Sequence, residues 1–285
     1  MKVGILAGGY GTRLAQETEI RPKPMVEIGG KPIIMHIMKH YARFGHKDFV
    51  IALGYKGDYI KKYFSDYFAL AGNVLVDFKN GRIKSQTTQE KIDWNIQLIE
   101  TGLSTLTGGR IKRLKSYMGN QTFMLTLGDG LSNVNIDDLL AFHRRHGRLA
   151  TVTAVRPPAR YGHLNIEGNG LVTEFSEKPQ ASEGWINGAY FVLEPEIFDY
   201  IEGDHTQWER EPLETLAREG QLLAYRHTSF WQCMDTMREK HILETLWQQG
   251  NPPWEMLEAG QKPGKDGKEA VPGSLPNETQ VSSGP

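Results

Sequence analysis

The stretch Lys2-Val3-Gly4-Ile5-Leu6-Ala7-Gly8-Gly9-Tyr10-Gly11-Thr12-Arg13 decides how this chain is read. A short apolar run from Lys2 to Leu6 empties at once into glycines, the pattern of a buried strand that ends in a loop. Backbone N–H groups in such a loop can face a polyphosphate with no Cβ in the way, and Arg13 adds a cation beside them. Leu6, Ala7, Gly8, Gly9, Gly11, Thr12 and Arg13 are therefore the candidate nucleotide loop. Two better-known phosphate motifs do not fit: the dinucleotide fingerprint needs a small residue where Leu14 stands, and the P-loop needs a Gly-Lys-Ser/Thr ending. From the glycines alone, an ordinary strand-to-helix turn reads equally well.

Next along the chain, Arg21-Pro22-Lys23-Pro24-Met25 frames a lysine between two prolines, which keep Lys23 out of any regular helix interior. Lys23 is thereby presented from a fixed backbone rather than left as an ordinary solvated surface lysine. From Ile33, the apolar residues Ile34, Ile37, Met38, Tyr41 and Phe44 recur at helical spacing until Gly45, predicting an amphipathic helix. Asp48 to Leu53 reads as a strand, Asp58 to Leu70 as a helix, and Gln121 to Leu127 as a strand running into Gly128-Asp129-Gly130. The alternation predicts an α/β fold with a Rossmann-like mixed, mainly parallel sheet flanked by helices. Ligands then bind beyond the carboxyl ends of the strands, where both glycine turns fall.

After Gly147 the pattern shifts to shorter strands at Leu149 to Val155, Gly162 to Ile166, Leu171 to Ser176 and Gly184 to Leu193. Helices are expected near Glu211 to Arg218 and Met237 to Gln248, with Trp254 packing back onto the fold. Residues 257–285 hold no aromatic side chain and are rich in Gly, Pro, Lys, Glu and Ser, so this tail is expected to be disordered. His36 and His40 have the i, i+4 spacing of a metal pair, but no third ligand accompanies them and packing is the expected role.

Composition narrows the function classes. With 39% hydrophobic and 24% charged residues, 285 residues can build one sizeable core. No apolar run approaches the ~18 residues of a membrane span. Lys plus Arg at 33 against Asp plus Glu at 34 gives a net charge of -1, with no basic stripe to attract nucleic acid. No membrane or nucleic-acid partner is expected. The start turns to glycine too soon for a signal peptide, and Cys233 is the single cysteine, so a cytoplasmic enzyme is the expectation.

Leu-Ala-Gly-Gly-Tyr-Gly-Thr-Arg-Leu from Leu6, followed by Arg-Pro-Lys-Pro-Met-Val-Glu-Ile-Gly-Gly-Lys-Pro-Ile from Arg21, resembles the opening signature of the sugar nucleotidyltransferases. Thr107-Gly108-Gly109-Arg110, Gly128-Asp129-Gly130, Glu177-Lys178-Pro179, Ile186-Asn187-Gly188 and Phe230 to Thr236 agree with it in order. Together they resemble the bacterial glucose-1-phosphate cytidylyltransferase branch over residues 1 to about 256, leaving the tail outside. Met35 stands where that branch carries a tryptophan, and Cys233 where a proline is common; neither change removes a charge.

The resemblance implies a nucleotide-diphospho-sugar transferase fold. One catalytic domain, 1–256, divides into a nucleotide half of about 1–147 and a smaller sugar-side lobe of about 148–256. The implied reaction is transfer of a cytidylyl group from CTP to glucose 1-phosphate, with Mg²⁺ on Asp129 and Asp235. Arg13 stabilises the leaving pyrophosphate and Lys23 holds the reacting phosphates in line. Thr105, Arg110 and Gly128 fall on nucleotide-contacting positions. Tyr161, Gly162, Glu177, Lys178, Asn187 and Gly188 are the implied sugar-phosphate residues, and a homo-oligomer is implied for the assembly. The same chemistry with dTTP, UTP or another hexose, and a non-catalytic sugar-nucleotide-binding relative, are the competing readings.

Overall fold

The structure is a computed structural model that describes residues 1–67, 73–86, 92–157, 163–168, 171–176 and 184–256. The expected sites Tyr161, Gly162, Glu177 and Lys178, and the tail 257–285, lie outside the described residues.

A seven-stranded sheet forms the frame, in the order Leu222–His227, Ala150–Val155, Ile186–Leu193, Phe123–Leu127, Lys2–Leu6, Asp48–Leu53, Asn95–Glu100. Only Ile186–Leu193 runs against its neighbours; every other pairing is parallel. The mainly parallel mixed sheet expected from the alternation is therefore what the chain forms. Phe49 to Leu53 are all buried, as a central parallel strand covered on both faces requires. Segments from both sides of Gly147 join this one sheet.

Ile33–Arg43 is the predicted amphipathic helix: Ile33, Ile34, Ile37, Met38 and Tyr41 are fully buried along one face, and Gly45, with φ 82°, follows its end. The next helix, Gly57–Asp66, starts one residue earlier than read, and residues 68–70 of the expected span lie outside the described residues. Glu211–Arg218 and Met237–Gln248 match their expected bounds. Trp254 does pack back: it is 1% exposed, stacks on Trp247 at 6.5 Å and meets Phe230 at 5.7 Å.

His36 and His40 are core residues pointing to separate carbonyls. Trp254 Nε1 donates to His36 Nδ1 at 3.2 Å, so the ring proton sits on Nε2 and is donated to the Ile28 carbonyl at 2.9 Å. His40 Nε2 donates to the Val134 carbonyl at 2.8 Å. Burial pushes His36 down and holds His40 at about 4, both neutral at pH 7.

The unfolded chain binds a proton at His40 below pH ~6.5 while the folded chain resists until about 4, so stability is full above pH 6.5 and falls on acidification. His40 should remove about 2 kcal/mol of stability between pH 7 and pH 5. Urea unfolding at the two pH values checks this, and in His40→Gln the loss should shrink by that amount.

Candidate active site

The strands Lys2–Leu6 and Phe123–Leu127 lie side by side and parallel, with Leu6 paired to Leu127. From Lys2–Leu6 the chain goes to Asp48–Leu53 on one side of it and later returns to Phe123–Leu127 on the other. This strand pair is the topological switch point, where a crevice opens at the carboxyl edge. A cavity of about 360 Å³ fills it, within the usual size of small-molecule sites. Its lining includes Leu6, Ala7, Gly8, Gly9, Gly11, Thr12 and Arg13 of the loop, Lys23, Gly128, Asp129 and Asp235, and Thr105 and Arg110. Every predicted nucleotide residue is therefore in one cavity. Tyr10, Pro24, Leu103, Ser104, Leu106, Thr107 and Leu127 also line it and carried no separate signal.

Local geometry explains the loop. Gly11 adopts φ 65°, a left-handed conformation that favours glycine, and a Cβ there would come within 2.8 Å of Thr18 and 3.2 Å of Lys23. Pro22 is extended, and a single 3-10 turn over Lys23–Met25 follows, so the lysine side chain leaves a fixed backbone. Pro24 then packs on Gly128, whose N–H donates to the Leu6 carbonyl at 3.0 Å.

Strand pairing delivers the second carboxylate. Trp231–Cys233 runs antiparallel to Gly130–Ser132, with Cys233 opposite Gly130 and Met234 N–H donating to the Asp129 carbonyl at 2.9 Å. Asp235, 106 residues downstream of Asp129, is thereby brought beside it. Thr236, not Asp235, is the N-cap of Met237–Gln248: its hydroxyl and Glu239 form a reciprocal capping box. The Asp235 side chain is left for the cavity.

Lys23 Nζ lies 2.5 Å from Asp129 Oδ2 and 2.5 Å from Asp235 Oδ1, and Arg13 Nη1 lies 3.0 Å from Asp235 Oδ2. Burial opposes the lysine charge, but the Asp129 and Asp235 carboxylates outweigh it and raise the Lys23 pKa above its usual value. Burial likewise opposes the Asp235 charge, and Lys23 followed by Arg13 outweighs it, so that carboxyl titrates below its usual range. Arg13, with a side chain 69% exposed, is free to turn toward a ligand. Cys233 is no nucleophile: burial, then Asp235, Glu239 and Asp129, push its thiol up to about 12, and its S–H points to Asp235 at 3.7 Å.

Arg110 is the residue whose role the sequence did not reveal. It is 4% exposed, and its guanidinium donates to the carbonyls of Gly8 at 3.0 Å, Leu53 at 3.0 Å, Gly102 at 2.8 Å and Leu103 at 3.3 Å and to the Thr101 hydroxyl at 2.7 Å. One side chain thus ties the glycine loop to two neighbouring strand ends. A Cβ on Gly8 would lie 2.3 Å, and one on Gly54 2.4 Å, from Arg110 Nη1.

Asn187 and Gly188 are outside this cavity. Asn187 Oδ1 accepts from Ala189 N–H at 2.7 Å within a strand irregularity, and the Gly188 carbonyl accepts from Trp231 Nε1 at 2.8 Å. A Cβ on Gly188 would meet Val155 at 2.8 Å and the Thr153 carbonyl at 2.9 Å, a packing reason for glycine. Among the described residues no helix is long and apolar enough to cross a membrane.

Residues 2–232 match the family described as nucleotidyl transferase. The chain is also 48% identical over 260 residues to a glucose-1-phosphate cytidylyltransferase from Salmonella typhi, covering 90% of this chain and 100% of that protein. The chain belongs to the nucleotidyl transferase family. A mannose-1-phosphate guanyltransferase from Saccharomyces cerevisiae is more distant, 30% identical over 254 residues and covering 85% of this chain and 63% of that one. Among solved structures, a UDP-glucose pyrophosphorylase complexed with UDP-glucose aligns with a TM-score of 0.63 at 18% identity, over 88% of this chain and 99% of that chain. That likeness identifies the nucleotide-diphospho-sugar transferase fold.

For this nucleotidyl transferase, Gly54→Ala should force Arg110 off the Gly8 carbonyl, because a methyl would sit 2.7 Å from that backbone oxygen, which cannot rotate away. We expect a cost of about 1–3 kcal/mol and at least a tenfold weaker nucleotide requirement, read by thermal melting and by KM for the triphosphate. Gly9→Ala, where a Cβ meets nothing within 4 Å, should leave the melting temperature unchanged.

Proposed function

We propose that the chain transfers a cytidylyl group from CTP to glucose 1-phosphate, releasing pyrophosphate and CDP-glucose. The observation that carries this reading is the convergence of Arg13, Lys23, Asp129 and Asp235 at the mouth of the glycine-loop cavity. The 48% identity to a protein that performs this reaction supports the choice of base and sugar.

The barrier is electrostatic. A triphosphate and a phosphate monoester carry like charges, and two unit charges ~4 Å apart repel by about 4 kcal/mol at an effective dielectric of 20. Asp129 and Asp235 already converge on one cation, the Lys23 ammonium, so the pair can share a metal; hard carboxylate oxygens suit Mg²⁺. When bound there, Mg²⁺ would neutralise charge on the attacked phosphate and the leaving pyrophosphate. Lys23 then exchanges a carboxylate for phosphate oxygens and holds attacking and attacked groups in line. The exposed Arg13 turns from Asp235 to the pyrophosphate end, and backbone N–H groups of the glycine loop cradle the chain of phosphates. A phosphate monoester, with second pKa about 6, is already ionised near neutral pH, so no general base is needed. His36 and His40, buried in the core, take no part.

A binding module would have no use for both carboxylates, which separates this reading from a non-catalytic relative. Glu177, Lys178, Tyr161 and Gly162 remain the proposed sugar-phosphate contacts, with the free amide of Asn187 donating to a sugar hydroxyl; the soluble working form is proposed to be a homo-oligomer in the cytoplasm.

Pyrophosphate release with Mg²⁺ and glucose 1-phosphate should occur with CTP and fail with UTP, dTTP, ATP and GTP. Release with a different nucleotide would retain the chemistry and change the branch. Asp129→Asn and Asp235→Asn should each lower turnover by roughly three orders of magnitude while circular dichroism stays native. Normal turnover in either variant would sink the metal assignment.

A further inference from the structure

At the same carboxyl edge of the sheet, on the far side of Ile186–Leu193 from Asp129, two guanidiniums share one indole. Arg156 lies over Trp185 at 4.5 Å and Arg226 lies over it at 5.7 Å. Strand register makes this a built arrangement. Val155 pairs with Ile186, which sets Arg156 beside Trp185, and Ala154 pairs with Arg226 on the next strand. Because partners in register share a face and alternate residues return to it, Arg156, Trp185, Arg226 and Asn187 all project from one side of the sheet.

Two like charges on a single aromatic ring repel, and such pairs are ordinarily relieved by a carboxylate. Among the described residues neither guanidinium has an ion-pair partner, and Arg156 Nε is buried without an acceptor. The cation–π contacts fix both forks while leaving their N–H groups to recognise something else. Planar paired guanidiniums match a phosphate, which accepts two parallel hydrogen bonds from each. The indole stands at one end of the group, toward Ile186–Leu193, and adds apolar surface beside the guanidiniums for a sugar ring. Arg156 follows a strand two places, roughly 10 Å, and Arg226 lies on one three places, roughly 15 Å, from Phe123–Leu127, the strand that leads into Asp129, which sets a phosphate held by both guanidiniums apart from the one that reacts beside Lys23.

We propose that Arg156, Trp185 and Arg226 form a binding site for the phosphate of a phosphorylated sugar, at the outer rim of the crevice and distinct from the Lys23 centre. The site rests on the sugar-phosphate reading above only for the identity of its physiological ligand. Two sources share this chemistry: the acceptor substrate, captured before it moves inward, and a second phosphorylated sugar that stays at the rim.

Titration calorimetry with inorganic phosphate and with glucose 1-phosphate, without nucleotide or metal, tests the site itself on the wild-type chain and on Arg156→Gln/Arg226→Gln. Both ligands should lose at least tenfold in affinity in the double variant, at an unchanged melting temperature, and Trp185→Leu, which frees both forks and removes the apolar surface, should weaken glucose 1-phosphate more than inorganic phosphate. Unchanged affinities in the double variant would overturn the proposal. Turnover separates the sources: a tenfold rise in KM for glucose 1-phosphate at constant kcat assigns the site to the acceptor, and lost binding with constant KM assigns it to a second ligand. Should the wild type turn over no nucleotide, the reaction reading fails while the calorimetric result still decides the site.

Discussion

The pairing of one lysine with two carboxylates is the interaction on which the rest of this structure depends. Lys23 joins a proline-framed turn, the end of a central strand through Asp129, and the segment before a late helix through Asp235. With a side chain only 12% exposed, the ammonium stays charged because those carboxylates outweigh its desolvation. Removing either partner alone would leave uncompensated charge in a half-buried site. The arrangement balances two carboxylates with two cations until a competing charge arrives. Its geometry is set by backbone register rather than by local sequence, since the Gly130 to Cys233 pairing fixes which two aspartates meet.

Arg110 performs the complementary task with neutral partners. Its five acceptors come from three segments, and four of them are backbone carbonyls at the carboxyl edge, where each carbonyl has a second lone pair to offer. A lysine would satisfy fewer of them and lacks the planar fork. The glycines at positions 8 and 54 follow from the same constraint, because the guanidinium occupies the space that their Cβ atoms would need. They are small so that the arginine can lie against the backbone, which differs from the phosphate-facing freedom argued from sequence. Gly11 alone among the loop glycines has the positive φ of that argument.

The central strands were legible as short continuous apolar runs that end at glycine, and the helices Ile33–Arg43, Glu211–Arg218 and Met237–Gln248 because their apolar residues keep a period near 3.6. The helix Ile136–His146 was not read, although Asn135 caps it, Asp137 and Asp138 open it, Ile136, Leu139, Leu140 and His143 fall at helical spacing on its buried face, and Gly147 closes it. Asn95–Glu100 and Leu222–His227 were missed as well. They are edge strands, half-exposed and interspersed with polar residues, so neither alternation nor a long apolar run marks them. The site showed the same division. Glycines, prolines and aspartates reveal themselves by their backbone or charge, whereas a buried arginine at the end of a helix looks like surface until its acceptors are known.

The near-neutral net charge of -1 conceals a strong separation along the sheet edge. Around Lys23 the acidic groups are paired to cations, and Cys233 is kept protonated by burial among those carboxylates. Toward the Ala150–Val155 side, Arg156 and Arg226 stand with an aromatic ring and without acidic partners among the described residues. A phosphorylated ligand entering from that side therefore meets these two guanidiniums first and afterward a centre whose carboxylates Lys23 and Arg13 already balance. That order of charges along the sheet edge is set by strand register, since the pairing of Val155 with Ile186 and of Ala154 with Arg226 fixes where the two guanidiniums stand.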